Sequence, residues 1–266
     1  MKAVPIPLPP LEEQHQIVAV LDEAFEGLAR ARAHAEANLR DARELFSEVV
    51  TQFFLKAGEG TATKTTLGSL AEFRNGLNYT RTSSGTSVKI VGVGDFKDHF
   101  AVPLETLSEI VIDGDLAPED HLRPGDLLSV RSNGNRELIG RTMLVPDLVE
   151  PVSFSGFTIR IRLLTDKLLP EYLCEFMRTK AARRMLIDGG GGSNISNLNQ
   201  KLLSSLPVAF PTIADQESIL AELAGIRAKT VELFSTYETK TQQIDDLRQS
   251  LLQKAFVGEL TDQEHV

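Results

Sequence analysis

A chain of 266 residues, 42% of them hydrophobic, can bury a real core as one large or two small domains, and its one cysteine, Cys174, excludes an internal disulfide framework. No apolar run approaches the ~20 residues of a membrane span or a secretory leader, so the composition reads as cytoplasmic. The net charge of -9 argues against tight non-specific DNA binding by the whole chain, but residues 1–65 carry -3, residues 66–206 only -1 and residues 207–266 carry -5, so a near-neutral middle can still focus positive potential on one face.

The first predicted element is a long helix. Pro9-Pro10-Leu11-Glu12-Glu13-Gln14 places prolines before it and carboxylates at the positive end of its dipole, and Gly58 and Gly60 lie beyond its end. Apolar or small residues then recur at Ile17, Leu21, Ala24, Leu28, Ala31, Ala35, Ala42, Leu45 and Val49, in alternating steps of four and three, which is the seam of a coiled coil. About 45 residues at ~1.5 Å rise give a rod on the order of 65 Å.

Residues 66–206 lose the heptad. Strands are predicted over Val88 to Val93, Glu109 to Ile112, Asp126 to Arg131, Glu137 to Val145 and Phe157 to Leu164. Pro170 opens a helical run to about Ile187, stopped by Gly189 to Gly192, and a further helical run covers Ile195 to Leu206. Three turns hold side chains suited to DNA: Arg74 to Arg81, with Asn75, Asn78 and Tyr79; Arg131 to Arg136, with Asn133 and Asn135; and Gly189 to Asn194, with Ser193. Arg can pair with guanine and Asn with adenine in the major groove, and a glycine-rich loop before a helix suits a phosphate. Polar Gly/Asn turns are also common as plain connections, and it is their coincidence in one insert that points to nucleic acid.

The last predicted element repeats the first. Pro5, Pro9, Gln14, Ile17, Leu21, Leu45 and Phe54 recur 202 residues on as Pro207, Pro211, Gln216, Ile219, Leu223, Leu247 and Phe256. The second seam runs Ile219, Leu223, Ile226, Leu233, Tyr237, Ile244, Leu247 and Leu251, with Thr230 and Lys240 as polar members, and Gly258 follows its end. Lys240 is the counterpart of Asn38. The pair reads either as a device fixing register or partner, or as local solvent exposure.

No catalytic constellation is legible. The five histidines are scattered without metal spacing, Val91-Gly92-Val93-Gly94-Asp95 lacks the third glycine of a dinucleotide loop, and no phosphate-binding loop or amino-methyltransferase motif occurs. Asp113-Gly114-Asp115 reads as a turn rather than half a metal site. The chain is expected to bind and position, with no catalytic residue and no metal.

The segment Pro5-Ile6-Pro7-Leu8-Pro9-Pro10-Leu11-Glu12-Glu13-Gln14-His15-Gln16-Ile17-Val18 closely resembles the closing strand and helix start of type I restriction-modification specificity (S) subunits, and Leu206 to Leu220 is a weaker second copy. The insert is similar too, through Leu67-Gly68, Arg123-Pro124-Gly125-Asp126-Leu127-Leu128, Ile139-Gly140, Pro170-Glu171-Tyr172-Leu173 and Ile195-Ser196. The resemblance implies an α+β fold in which one globular target recognition domain is flanked by two long helices that pair as an antiparallel coiled coil. It divides the chain into a closing strand of a missing recognition domain (1–10), spacer helix 1 (11–57), the recognition domain (66–210), spacer helix 2 (212–258) and a tail (259–266). Its implied partners are double-stranded DNA, methyltransferase subunits that methylate adenine, and restriction subunits through the assembled complex. No cofactor is expected in this chain, and S-adenosylmethionine belongs to the partner methyltransferase. Carried over by position, the three turns become DNA contacts.

The chain departs from the family in holding one recognition domain where a full S chain has two. It reads as a half subunit that self-associates as a homodimer, or pairs with another half subunit, to restore a split target. A different class stays open: a coiled-coil adaptor without sequence-specific DNA binding, which the acidic charge favours.

Overall fold

In the computed structural model, residues 9–80, 83–97, 99–132, 134–188 and 197–260 are described, the side chains of Arg136 and Asp188 excepted. The chain divides into two compact units, one of Met1–Phe46 with Ala224–Val266 and one of Ser47–Leu223. No helix among the described residues is long and apolar enough to cross a membrane.

The first unit consists of the greater parts of two helices, α1 (Leu11–Ala57) and α5 (Ile213–Val257). Gly258, at φ 79°, ends α5 in the left-handed conformation that favours glycine, and the Glu259 amide bonds back to the Lys254 carbonyl. The pairing within this unit is antiparallel. Arg248 lies over the Phe25 ring, Arg32 bonds Asp245 at 2.6 Å, and Arg43 bonds Glu238 at 3.2 Å, so one partner's number falls as the other's rises. Because the copies are offset by 202 residues, this register brings Asn38 level with its own counterpart, Lys240. A local two-fold relation therefore passes through that pair.

The seam differs from the strict heptad by one residue. Ala31, Asn38 and Leu45 are exposed, as are their counterparts Leu233, Lys240 and Leu247, whereas Leu39, Phe46, Phe234 and Thr241 are half-buried. An α-helix of 3.6 residues per turn drifts about 20° per heptad, and here the contact passes to the following residue. The slip falls at the same repeat positions in both helices.

The second unit holds three sheets. The strands β1 (Thr63–Thr66) and β9 (Pro207–Phe210) pair antiparallel and bring the two ends of the insert together. A four-stranded antiparallel sheet has the order β2 (Ala71–Asn75), β8 (Thr158–Leu163), β5 (Leu127–Val130), β6 (Thr142–Leu144). A three-stranded sheet has the order β4 (Ser108–Val111), β3 (Ser87–Val91), β7 (Val152–Phe154), with β3 and β7 parallel. Leu128, Val130, Met143 and Val145 join Val91, Val152, Phe154 and Phe96 in one core cluster. Strand alternation puts Ile159 and Ile161 on one face of β8 and Arg160 and Arg162 on the other.

Three local readings are corrected. The single helix from Pro170 is two, α2 (Pro170–Arg178) and α3 (Lys180–Asp188), because Thr179 leaves the helix at ψ 148° and its hydroxyl caps the Ala182 amide. The strand expected over Glu137 to Val145 becomes a single 3-10 turn, Arg136–Leu138, then Gly140 at φ 75° and the short β6. The helical run expected from Ile195 contains only α4 (Gln200–Ser204) among the described residues, capped by Asn199, whose side chain accepts from the Leu202 amide.

Candidate nucleic-acid interface

Loops that are far apart in sequence meet at one turn, Ser155–Phe157, between β7 and β8. The Leu77 amide donates to the Phe154 carbonyl at 2.8 Å, and the Gly156 amide returns a bond to the Leu77 carbonyl at 2.7 Å. Such close approach of two backbones requires a glycine at position 76, where a Cβ would collide with the carbonyl oxygens of Phe154 and Ser155. The Phe157 carbonyl accepts from the Arg131 amide at 2.9 Å, and the Leu198 amide donates to the Arg131 carbonyl at 2.7 Å. The first two candidate loops and the segment just after the third thus converge.

At this junction Asn75, Asn78 and Tyr79 are exposed, and Asn135 uses its side-chain carbonyl to accept the Glu137 amide at 3.0 Å. Arg131 is half-buried, and its Nε has no acceptor among the described residues. Arg81, Asn133, Ser193 and Asn194, and the Arg136 side chain, lie outside the described residues. Phe157, 59% exposed at the centre of the gathering, was not singled out in the sequence, where it reads only as the first residue of a strand. An exposed aromatic among polar loops can contact a thymine methyl or a base face.

Arg74 stands in β2 rather than in a turn, and its guanidinium bonds Asp120 at 2.6 Å, a pair that raises its pKa. It is part of a larger brace. Buried Asp126 accepts two bonds of 2.7 Å from Arg162 and a third from the Arg123 amide, while Arg160 reaches Glu72 at 2.9 Å and the Glu119 carbonyl at 2.6 Å. This explains Arg123-Pro124-Gly125-Asp126: Gly125 turns at φ 83°, and the aspartate closes the turn and anchors β8. Base reading by Arg74 would require its ion pair to open.

The repeated helix ends show what the proline-glutamine segment does. In the second unit Gln216 is fully buried; its amide nitrogen donates to the carbonyls of Pro211 and Lys167, and its oxygen accepts the Leu169 amide, each at 2.9 Å. Phe54, 6% exposed, meets the rings of Tyr172 and Phe176 edge-on, with centroids 5.0 and 5.7 Å away. In the first unit Gln14 makes the same bond to its own proline, Pro9, at 2.7 Å, but its counterpart phenylalanine, Phe256, is 70% exposed. Between them lies an apolar cleft of about 470 Å³, walled by Ile17, Leu21, Leu252 and Ala255.

No protein-family model matches the chain. It is 25% identical over 272 residues to the StySPI type I restriction enzyme specificity subunit of Salmonella potsdam, a match covering 97% of this chain and 58% of that protein. It is 29% identical over 203 residues to the EcoKI specificity subunit of Escherichia coli K12, covering 73% of this chain and 42% of that protein. This chain is a relative of the type I specificity subunits. The fold agrees: a chain from a solved type I restriction-modification system superposes with a TM-score of 0.76 at 23% identity, over 96% of this chain and 62% of its own length. The HsdS subunit of Thermoanaerobacter tengcongensis does so at 0.58 and 22%, over 96% and 60%. Our chain spans about half the length of the curated specificity subunits it matches and covers about one recognition domain. Asn38 and Lys240 are exposed near the middle of the paired helices α1 and α5. Among the described residues no group of histidine, cysteine and carboxylate side chains could hold a metal ion.

Proposed function

We propose that this chain is the DNA-reading component of a type I restriction-modification assembly, non-catalytic itself, with the loops gathered around Phe157 reading one half of a split site. The convergence of the Asn75–Tyr79 and Arg131–Asn135 loops on one turn carries this reading. Methylation then belongs to partner subunits that bring S-adenosylmethionine, and restriction subunits join through them. Exposed Leu45, Leu233 and Leu247, on the outer edge of the helical seam, offer those partners an apolar track.

The second half-site needs a second recognition domain. The cleft at Gln14 and Phe256, open among the described residues, supports its attachment there, because the counterpart helix ends pack against Lys167, Leu169, Tyr172 and Phe176. In an intact copy of this chain that docking face is already occupied by its own helices. The geometry therefore favours pairing with a separate half subunit whose docking face is free over a homodimer through this cleft.

The test is to combine the chain with cognate methyltransferase subunits and a second half subunit, and to map adenine methylation. Methylation at one defined bipartite sequence is expected. The absence of any sequence preference, with the methyltransferase captured all the same, would leave a coiled-coil adaptor. Within the active mixture, Arg131→Ala should relax discrimination at one base pair by ~1–3 kcal/mol.

A further inference from the structure

Beside the Arg131–Asn135 loop is a cleft of about 170 Å³ walled by Lys97, His99, Arg141, Arg178 and Arg183, with no carboxylate among the described residues of its lining. It contrasts with the brace on β2 and β8, where Arg74, Arg160 and Arg162 each find an acidic partner. Here the guanidinium groups bond main-chain carbonyls alone. Arg141 donates to the carbonyls of Glu137, Phe96 and Lys97; Arg178 donates to those of His99 and Thr142 at 2.8 and 3.0 Å; Arg183 donates to those of Glu137 and Ile139 at 2.6 and 3.2 Å. Among the described residues none of the three is in an ion pair.

Carbonyl bonds fix the heads of these side chains without neutralising them. Arg178 commits only one nitrogen, Nη1, leaving Nε and Nη2 to donate, and Arg141 has Nη2 left over. The Nε of Arg183 is buried with no acceptor among the described residues. The pKa of Arg183 is lowered by burial first and then by its neighbours Arg141 and Arg178, against the pull of Glu137. A cleft of fixed, mutually repelling cations with spare forked donors is prepared for an anion with several acceptor oxygens, and a phosphate offers more of them than a carboxylate.

We infer that this cleft, built on Arg141, Arg178 and Arg183, is an oxyanion site that holds a backbone phosphate of the bound duplex. The inference rests on the DNA-reading assignment above and adds a register clamp to it. Arg141 and Arg183 both grip the Glu137 carbonyl, within the connection that carries Arg131 and Asn135, so a phosphate seated here would fix that loop against the groove it reads.

Two arms test it separately. In the assembled complex, Arg178→Gln should weaken binding about tenfold for target and mismatched duplexes alike, and reduce the slope of log affinity against log salt by about one. An unchanged slope, or a loss of base discrimination at unchanged slope, overturns the clamp. In the isolated chain, inorganic phosphate at fixed ionic strength should raise the melting temperature of the wild type more than that of Arg178→Gln or of Lys97→Gln, the latter at an exposed position that leaves the carbonyl bonds untouched. Equal responses of the wild type and Lys97→Gln overturn the site even if Arg178→Gln fails to fold. Should the wild-type complex show no sequence preference, the DNA assignment falls, while the phosphate arm still decides the cleft.

Discussion

The two copies of the repeat differ in what covers them. At Phe54 and Gln216 the helix ends are buried against Lys167, Leu169, Tyr172 and Phe176 of the second unit; at Phe256 and Gln14 the same residue types, at the same spacing, border an open cleft. Val50 is 8% exposed where its counterpart Leu252 is 37% exposed. What recurs is therefore more than a helix: an aromatic at one helix end, and at the start of the other a glutamine that bonds back to its own proline. Helix propensity and coiled-coil pairing alone would not require a glutamine there, because a solvated first turn accepts many residues.

The largest expected contrast lies in the aromatics. Phe54→Ala removes a buried ring and should cost about 3–5 kcal/mol, measured by denaturant unfolding, whereas Phe256→Ala in the isolated chain should fall within about 0.5 kcal/mol. Equal losses would mean that the cleft at Phe256 is filled within the chain itself, ending the contrast. Next come the glutamines. Gln216→Ala leaves the Leu169 amide and the Lys167 carbonyl without their partner and should cost about 2–4 kcal/mol; Gln14→Ala should be nearly silent alone. With a second half subunit present, Gln14→Ala should weaken association at least tenfold by titration. A silent Gln14→Ala in both settings would make its bond to Pro9 purely local.

A smaller effect separates the two apolar tracks of the paired helices. Leu39→Ala, at a half-buried position, should lower stability by about 1–2 kcal/mol, and Leu45→Ala, at a position 65% exposed, by about 0.5 kcal/mol or less. The reverse order would restore the strict heptad. Leu45→Ala should instead weaken methyltransferase capture.

The long helices were legible because their signals are local and redundant: prolines and acids at each start, glycine at each end, and a hydrophobic period sustained over many turns. The sheets were less so. β5 showed as an apolar run and β8 as an alternation of isoleucine and arginine, but β2, Ala-Glu-Phe-Arg-Asn, hides as strand because its arginine and glutamate are spent on partners from β8 and the Glu119–Asp120 turn, which no window of sequence contains. The candidate loops were recognisable by residue type, yet their meeting at Phe157 depends on strand order, which sequence spacing does not carry. Gln216 was visible as a repeat position, but its three bonds were not, since two of them reach residues 47 and 49 positions away.

The smallest effect concerns the partner ring at the filled end. Tyr172 is fully buried against Phe54, and its hydroxyl has no hydrogen-bond partner among the described residues. Burial pushes its pKa up from the usual 10 to about 12. A raised pKa in the folded state means that the stability this group permits is intact below pH 10 and is lost as the pH climbs from 10 towards 12. Tyr172→Phe keeps the edge-on ring contact and removes both the stranded hydroxyl and the ionisation. It should therefore be neutral or stabilising by up to ~1 kcal/mol at pH 7. It should also flatten the fall of the unfolding midpoint above pH 10. A loss of more than about 1 kcal/mol at pH 7 would show that the hydroxyl, and not the ring alone, fastens the domain to its helices. Any partner proposed for the open cleft would then have to bring a tyrosine to Phe256, where a phenylalanine otherwise serves as well.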